Sequence, residues 1–258
     1  MADFDNPTLQ QGQELKVLRQ SSLVWLLAGA VCLVLGQSLL NLLFGIPAGG
    51  LVLSATLYLG IACSVWLGLA AHLPQRSFGL ANGITLLRAV LTCLLAGLVA
   101  LTEPERLGWL PLAAALTILL LDGLDGWAAR RTGQASAFGA RFDIEMDSLL
   151  VLLLCATVLL MDKAGPWVLL AGGLRYLFLA GTGLLPWMKG TLPESFRRKA
   201  LYVVSTCGVT LALAPVVTAP FSHVIAAVAV AGLVISFMID ISWLYRNTQK
   251  ERTPKWKP

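Results

Sequence analysis

The sequence predicts an all-α fold, a polytopic transmembrane bundle of about eight helices with a six-helix core preceded by two further helices. Three observations carry that expectation. Hydrophobic residues make up 57% of the 258 and charged residues only 13%, against about 25% charged in a soluble domain, and the mean hydropathy is +0.77. Eight apolar runs, at about 22–45, 49–71, 82–101, 108–129, 143–162, 167–187, 200–218 and 222–244, each approach the ~20 residues a bilayer requires. The connections between them are mostly short, which favours antiparallel neighbours, and none is long enough to fold as a soluble domain.

Taken in order, residues 1–20 form a polar tail of mixed charge, without the basic start and short apolar core of a signal peptide. Residues 21–75 hold the two additional helices, where Gln37 and Asn41 sit one turn apart and are suited to hydrogen bonding between helices. Residues 76–246 form the core, and 247–258 a basic tail. The five cysteines all fall within apolar runs with no CxxC, which argues for helix packing rather than disulfides or zinc. Gly172, Gly173, Gly181 and Gly183 read as sites of close helix packing. His72 and His223 stand singly at run boundaries, and Asp240 is placed to offset a neighbouring Arg or Lys.

Charge gives the orientation. Lys16, Arg19, Arg76, the 130–141 connection, the 189–199 connection and the C-terminal tail share one side, leaving Arg106 and Lys163 on the other. By the positive-inside rule the termini are cytoplasmic in a multi-pass cell-membrane protein. The net charge of +5 then belongs to a face beside anionic lipid headgroups, and nucleic acid is not an expected partner. Trp25, Trp66, Trp109, Trp167, Trp187 and Trp243 lie near run ends, where aromatic belts form.

One stretch departs from this apolar background. Residues 122–147 read DGLDGWAARRTGQASAFGARFDIEMD. Asp122 and Asp125 are three apart at the end of one run, Asp143 and Asp147 four apart at the start of the next. On helices each pair shares a face, and the Gly-containing connection lets the two helices return side by side. Burying one charge at membrane depth costs roughly 2.5–3.5 kcal/mol on insertion scales, so four carboxylates at a hairpin tip need compensation, and divalent cations with oxygen ligands supply it. Gly126 and Gly139 allow a helix or ligand close to the backbone. Glu145 lies on a different face.

The complete spacing D-x2-D-G-x2-A-R-x8-G-x3-D-x3-D, here Asp122, Asp125, Gly126, Ala129, Arg130, Gly139, Asp143 and Asp147, resembles the signature of the CDP-alcohol phosphatidyltransferases. These are membrane enzymes that move a phosphatidyl-type group from a CDP-linked donor to an alcohol and release CMP. A second element, NGITLLR, carries Asn82, Thr85 and Arg88 on one helical stripe and is similar to the family's P-N-x-x-T-x-x-R, with Ala81 in place of the Pro. The resemblance implies Mg²⁺ or Mn²⁺, two ions at a shared site, held by Asp122, Asp125, Asp143 and Asp147, with Asp147 also the general base. It implies a CDP-linked lipid donor such as CDP-diacylglycerol, contacted by Asn82, Thr85, Arg88, Gly126, Ala129, Arg130 and Gly139, and a homodimer among membrane lipids.

For the small alcohol acceptor, Arg141, Arg175, Arg198 and Lys199 could form an anion pocket, since Arg suits bidentate phosphate capture. That points to a phosphorylated polyol such as glycerol 3-phosphate or an inositol phosphate. The segment FDIEMDSL differs from the LDPLADK form of glycerophosphate-type members. The alternative reading is a membrane cation transporter using the carboxylates as an ion site, which would spread them over several separated helices near the bilayer midplane.

Overall fold

The computed structural model describes residues 7–100, 107–132, 136–190, 192–193 and 195–252, without the side chains of residues 7–10, 125, 128–130, 132 and 250–252. Among them are eight α-helices and no strand: α1 (Pro7–Phe44), α2 (Ala48–Gly68), α3 (Gly79–Val99), α4 (Leu110–Thr132), α5 (Ala137–Leu160), α6 (Leu169–Leu184), α7 (Phe196–Ala212) and α8 (Phe221–Arg252). Short 3₁₀ turns at Leu69–His72, Pro166–Val168 and Pro186–Lys189 flank α2 and α6.

Each apolar run corresponds to one α-helix, with shifted ends. α1 continues through most of the polar tail, starting at Pro7, and α8 carries the last run on to Arg252. α7 covers Phe196–Ala212 instead of 200–218. Pro215 disfavours helix at the residue before it, and the Arg197–Lys199 cluster, expected in a connection, forms the first turn. α3 starts at Gly79, so Asn82 belongs to its first turn and is not its cap.

Among the described residues, Gln11–Phe44, Ala48–His72, Gly79–Val99, Pro166–Leu184 and Phe221–Gln249 are long and apolar enough to cross a membrane. α4 offers the shorter apolar stretch Leu110–Leu124. Charged residues interrupt the other helices: carboxylates on α4 and α5, and the Arg197–Lys199 turn on α7. Large apolar side chains face outward, including Leu42, Leu67 and Leu184, each more than 80% exposed. A surface so apolar suits hydrocarbon rather than water.

The chain divides into two compact units, Met1–Leu150 and Val151–Pro258. The first is built around α3, whose apolar window is 72% buried where that of α1 is 17%; α1, α2 and α4 all pack on it. The close approach of α2 and α3 depends on glycine. A Cβ at Gly50 would lie 2.6 Å from the Gly97 carbonyl oxygen, and one at Gly97 would lie 2.5 Å from Ser54 Oγ. Small residues bring backbones into contact where no hydrophobic force holds helices together in lipid. Gln37 of α1 donates to the Leu51 carbonyl of α2 at 3.2 Å, the interhelical bond its position suggested. Trp25 turns inward, its ring against Gly83 and 6.4 Å from that of Phe78, instead of joining an interfacial belt.

The second unit is organised on the packing of α7 and α8. Asp240 of α8 accepts from Arg197 Nη2 at 2.7 Å and Arg198 Nε at 2.8 Å, the charge-offsetting role expected of it. Lys163 Nζ donates to the carbonyls of Ala214 and Val217, tying the end of α5 to the chain beyond α7. Gly172 is pressed onto the Leu152 backbone and Gly181 onto Met188, while Gly173 and Gly183 face open space; only one of each expected pair serves packing.

Candidate active site

The site lies in the first unit, where the first turns of α3 and α5 meet the last turns of α4. Arg88 on α3 is its centre and is 1% exposed. Its Nη2 lies 2.6 Å from Asp122 Oδ1 and 2.5 Å from Asp147 Oδ1, and its Nη1 2.7 Å from Asp143 Oδ1. The three carboxylate side chains keep 36%, 39% and 21% of their surface for Asp122, Asp143 and Asp147. One planar guanidinium thus collects carboxylates from two helices, which its fork of donors is shaped to do. Breaking such a buried pairing by removing one partner costs about 3–5 kcal/mol, so α3 is locked to the hairpin that carries the signature.

Sequence spacing places Asp143 and Asp147 on one turn of α5, and the structure brings Asp122 of α4 to join them. One oxygen from each of the three lies within 4.8 Å of the others. Three hard anionic oxygens at that separation match what Mg²⁺ or Mn²⁺ takes from protein, so the donor set fits a divalent cation. The side chains of Asp125, Ala129 and Arg130 lie outside the described residues; Gly126 is half-buried on α4.

Asn82 and Thr85 occupy the same stripe of α3 as Arg88, 5% and 3% exposed. Asn82 Nδ2 donates to the Phe78 carbonyl at 2.6 Å and Thr85 Oγ1 to the Ala81 carbonyl at 3.1 Å. Gly139, in the first turn of α5, explains its own identity: a Cβ there would stand 3.0 Å from Asn82 Oδ1 and 3.4 Å from Ser136 Oγ. Asn82 and Gly139, far apart in sequence, are therefore neighbours, each N-terminal to the residue its own helix gives the cluster, Arg88 on α3 and Asp143 on α5.

Two residues beside Asn82 and Gly139 were not singled out from the sequence as site residues. Ser136 caps α5, its Oγ accepting from the Gly139 amide at 3.0 Å, an N-cap of ordinary kind. His72, which in the sequence only stands singly at a run boundary, is fully buried. Its Nδ1 lies 2.6 Å from Ser136 Oγ and its Nε2 3.0 Å from the Ser77 carbonyl. Ser136 in ASAFG has a legible signal, an N-cap residue before a helical run; a single His after an alanine pair has none.

Of the residues expected to bind the acceptor, Arg141 is exposed on α5 in the first unit. Arg175, Arg198 and Lys199 belong to the second. There Arg198 is engaged by Asp240 and also donates to the Pro193 carbonyl at 3.1 Å, and Lys199 is exposed on the first turn of α7.

No curated protein and no solved structure matches the chain. The family model for CDP-alcohol phosphatidyltransferase matches residues 78–238, well over half the sequence. The match spans Asn82, Thr85, Arg88, the whole carboxylate signature and Arg197, and it leaves α1, α2, His72 and Asp240 outside. With the carboxylate cluster gathered at one hairpin and this match extending from the start of α3 into α8, the chain belongs to the CDP-alcohol phosphatidyltransferase family, membrane transferases that pass a substituted phosphate group from a CDP-alcohol to an acceptor alcohol.

Proposed function

We propose that the protein transfers the phosphatidyl group of a CDP-linked lipid such as CDP-diacylglycerol to the hydroxyl of a phosphorylated polyol, releasing CMP at the cytoplasmic face of the cell membrane. The observation that carries this reading is the convergence of Asp122, Asp143 and Asp147 on Arg88 inside the matched family segment.

In the reaction the acceptor oxygen bonds to the lipid-side phosphorus, the bond from that phosphorus to the CMP oxygen breaks, and the acceptor proton must leave. Asp147 is the residue assigned to take it. It meets Arg88 through Oδ1, and Oδ2 is the oxygen that would receive the proton. Its smaller exposure than Asp122 or Asp143 suits a group working in a water-poor site. Asp122, Asp125 and Asp143, with Asp147 beside them, would hold Mg²⁺ or Mn²⁺; when bound, the cations supply neutralisation of the diphosphate as its bond to CMP is broken. Arg88 holds the carboxylates in one place and limits their mutual repulsion. Asn82, Thr85, Gly126, Ala129, Arg130 and Gly139 would receive the cytidine and diphosphate of the donor. Arg141, Arg175, Arg198 and Lys199 would recognise the acceptor phosphate, with Asp240 fixing the Arg198 guanidinium.

The test is purified protein with CDP-diacylglycerol and a panel of glycerol 3-phosphate, inositol phosphate, free inositol, glycerol and serine, reading CMP release and the charge of the lipid product. Release that requires a phosphorylated acceptor is the expected result. Turnover with an unphosphorylated acceptor alone would overturn the acceptor assignment, and Mn²⁺ flux into proteoliposomes without CMP release would favour an ion pathway.

A further inference from the structure

The family match begins at Phe78, yet the site it encloses is braced by residues that precede it. His72 closes the 3₁₀ turn after α2 and is completely buried. A carbonyl can only accept, so the 3.0 Å contact with the Ser77 oxygen assigns the imidazole proton to Nε2. Nδ1 is then an acceptor, and Ser136 Oγ–H donates to it at 2.6 Å. Ser136 Oγ in turn accepts the Gly139 N–H at 3.0 Å. One directional chain therefore runs from the α5 amide through the Ser136 hydroxyl and the imidazole to the loop entering α3. At its centre Gly139 faces Asn82 Oδ1, and Asn82 Nδ2 stands 3.5 Å from His72 Nε2.

Packing follows the same path. The His72 ring is 5.5 Å from Phe138, edge to face, and Phe138 lies against Gly68 at the end of α2. Phe138 is also 6.3 Å from Phe78 and 5.9 Å from Phe142. α1 adds a bond of its own, with the Phe78 amide donating to Ser21 Oγ at 3.2 Å.

We propose that the two N-terminal helices serve as a brace for donor binding, with His72 as a positioning residue that fixes the separation of Asn82 on α3 and Gly139 on α5. The ligand concerned is the cytidine diphosphate part of the donor, so the proposal rests on the donor site assigned above. It gives α1 and α2 a task in the reaction that their apolar sequence does not announce. Among the described residues the polar partners of His72 are Ser77, Ser136 and Asn82, not Arg88, Asp122, Asp143 or Asp147, and its influence should fall on binding, not on the chemical step.

The experiment compares wild type with His72→Gln, Ser136→Ala, Ser136→Thr and the His72→Gln/Ser136→Ala double variant in detergent. Two quantities are read: amide hydrogen exchange over the first turn of α5, and affinity for CDP-diacylglycerol with Mg²⁺ alongside kcat at saturating donor. Losing one neutral bond of this kind corresponds to about a tenfold change. Each of the first two substitutions should speed exchange at Gly139 and Ala140 about tenfold and weaken donor affinity about five- to tenfold, with kcat held within about twofold. The double variant should be no worse than the more affected single one, because both break one chain, and Ser136→Thr, which keeps the hydroxyl, should retain wild-type affinity. Additive losses, unchanged exchange in the α5 turn, or a fall in kcat at unchanged affinity would overturn the brace. If wild type binds no CDP-diacylglycerol the donor assignment fails, and the exchange data alone then decide whether His72 orders the α5 turn. Should His72→Gln not fold, the Ser136 pair decides the matter.

Discussion

Arg88 shows how much of a site can turn on one side chain. NGITLLR in the sequence suggested a donor contact; in the structure its guanidinium is shared by Asp122, Asp143 and Asp147. The spacing of the four aspartates could be read because helical geometry fixes which residues share a face. That their counter-charge comes from α3 could not be read, since nothing local links Arg88 to residues 34 or more positions away. Arg88→Met should therefore lower the unfolding temperature of metal-free protein, with a loss of about 3–5 kcal/mol for carboxylates left without their partner. Added Mg²⁺ should restore part of the loss, and scanning calorimetry with and without the ion measures both effects. Arg88→Lys should recover less than its charge suggests, because a point charge cannot replace a planar fork. An Arg88→Met protein as stable as wild type in chelator would show that the guanidinium is not what holds the cluster.

At the scale of elements, all eight helices were legible, and their ends were not. Hydropathy locates the apolar interior of a helix, but polar residues can continue it, as in α1 and α8, and proline can stop it, as before Pro215 in α7. Where two helices touch was partly legible: Gln37 met α2 as its position suggested. The Gly50–Gly97 contact carried no sequence pattern, because its two halves lie on different helices. Gly97→Leu should destabilise the protein by about 1–3 kcal/mol through overpacking, against less than about 0.5 kcal/mol for Gly60→Leu, which faces open space. A denaturation comparison of the two variants checks it, and equal effects would deny that α2 and α3 depend on this approach. Asp240→Asn should loosen both Arg197 and Arg198 and weaken acceptor binding more than donor binding; a donor-specific loss would place that pair elsewhere in the reaction.

For the whole molecule, composition was enough to place the chain in a membrane, since 13% charged residues cannot cover a soluble protein of this size. The acceptor site was the least legible part. Its candidate residues are dispersed along the sequence and carry no fixed spacing, and two of them, Arg198 and Lys199, also belong to the basic 189–199 stretch from which the expected orientation was read. With both termini and the signature expected on the cytoplasmic side, single cysteines at Lys199 and Thr253 in a cysteine-free background should react with a membrane-impermeant maleimide only after cells are opened. Labelling of either in intact cells contradicts that orientation.

The proposed reaction makes the Asp122–Asp143–Asp147 cluster a metal-dependent centre for phosphatidyl transfer in which Asp147 takes the acceptor proton. The most direct measurement pairs donor affinity with the single-turnover rate of CMP release, across Mg²⁺ concentrations, for wild type, Asp122→Asn and Asp147→Asn. The expected result is no turnover in chelator, weakened metal and donor binding in Asp122→Asn, and a rate lowered ~10²–10⁴-fold in Asp147→Asn, the usual worth of general-base catalysis, at nearly unchanged donor affinity. Full CMP release in chelator, or a wild-type rate in Asp147→Asn, would contradict it.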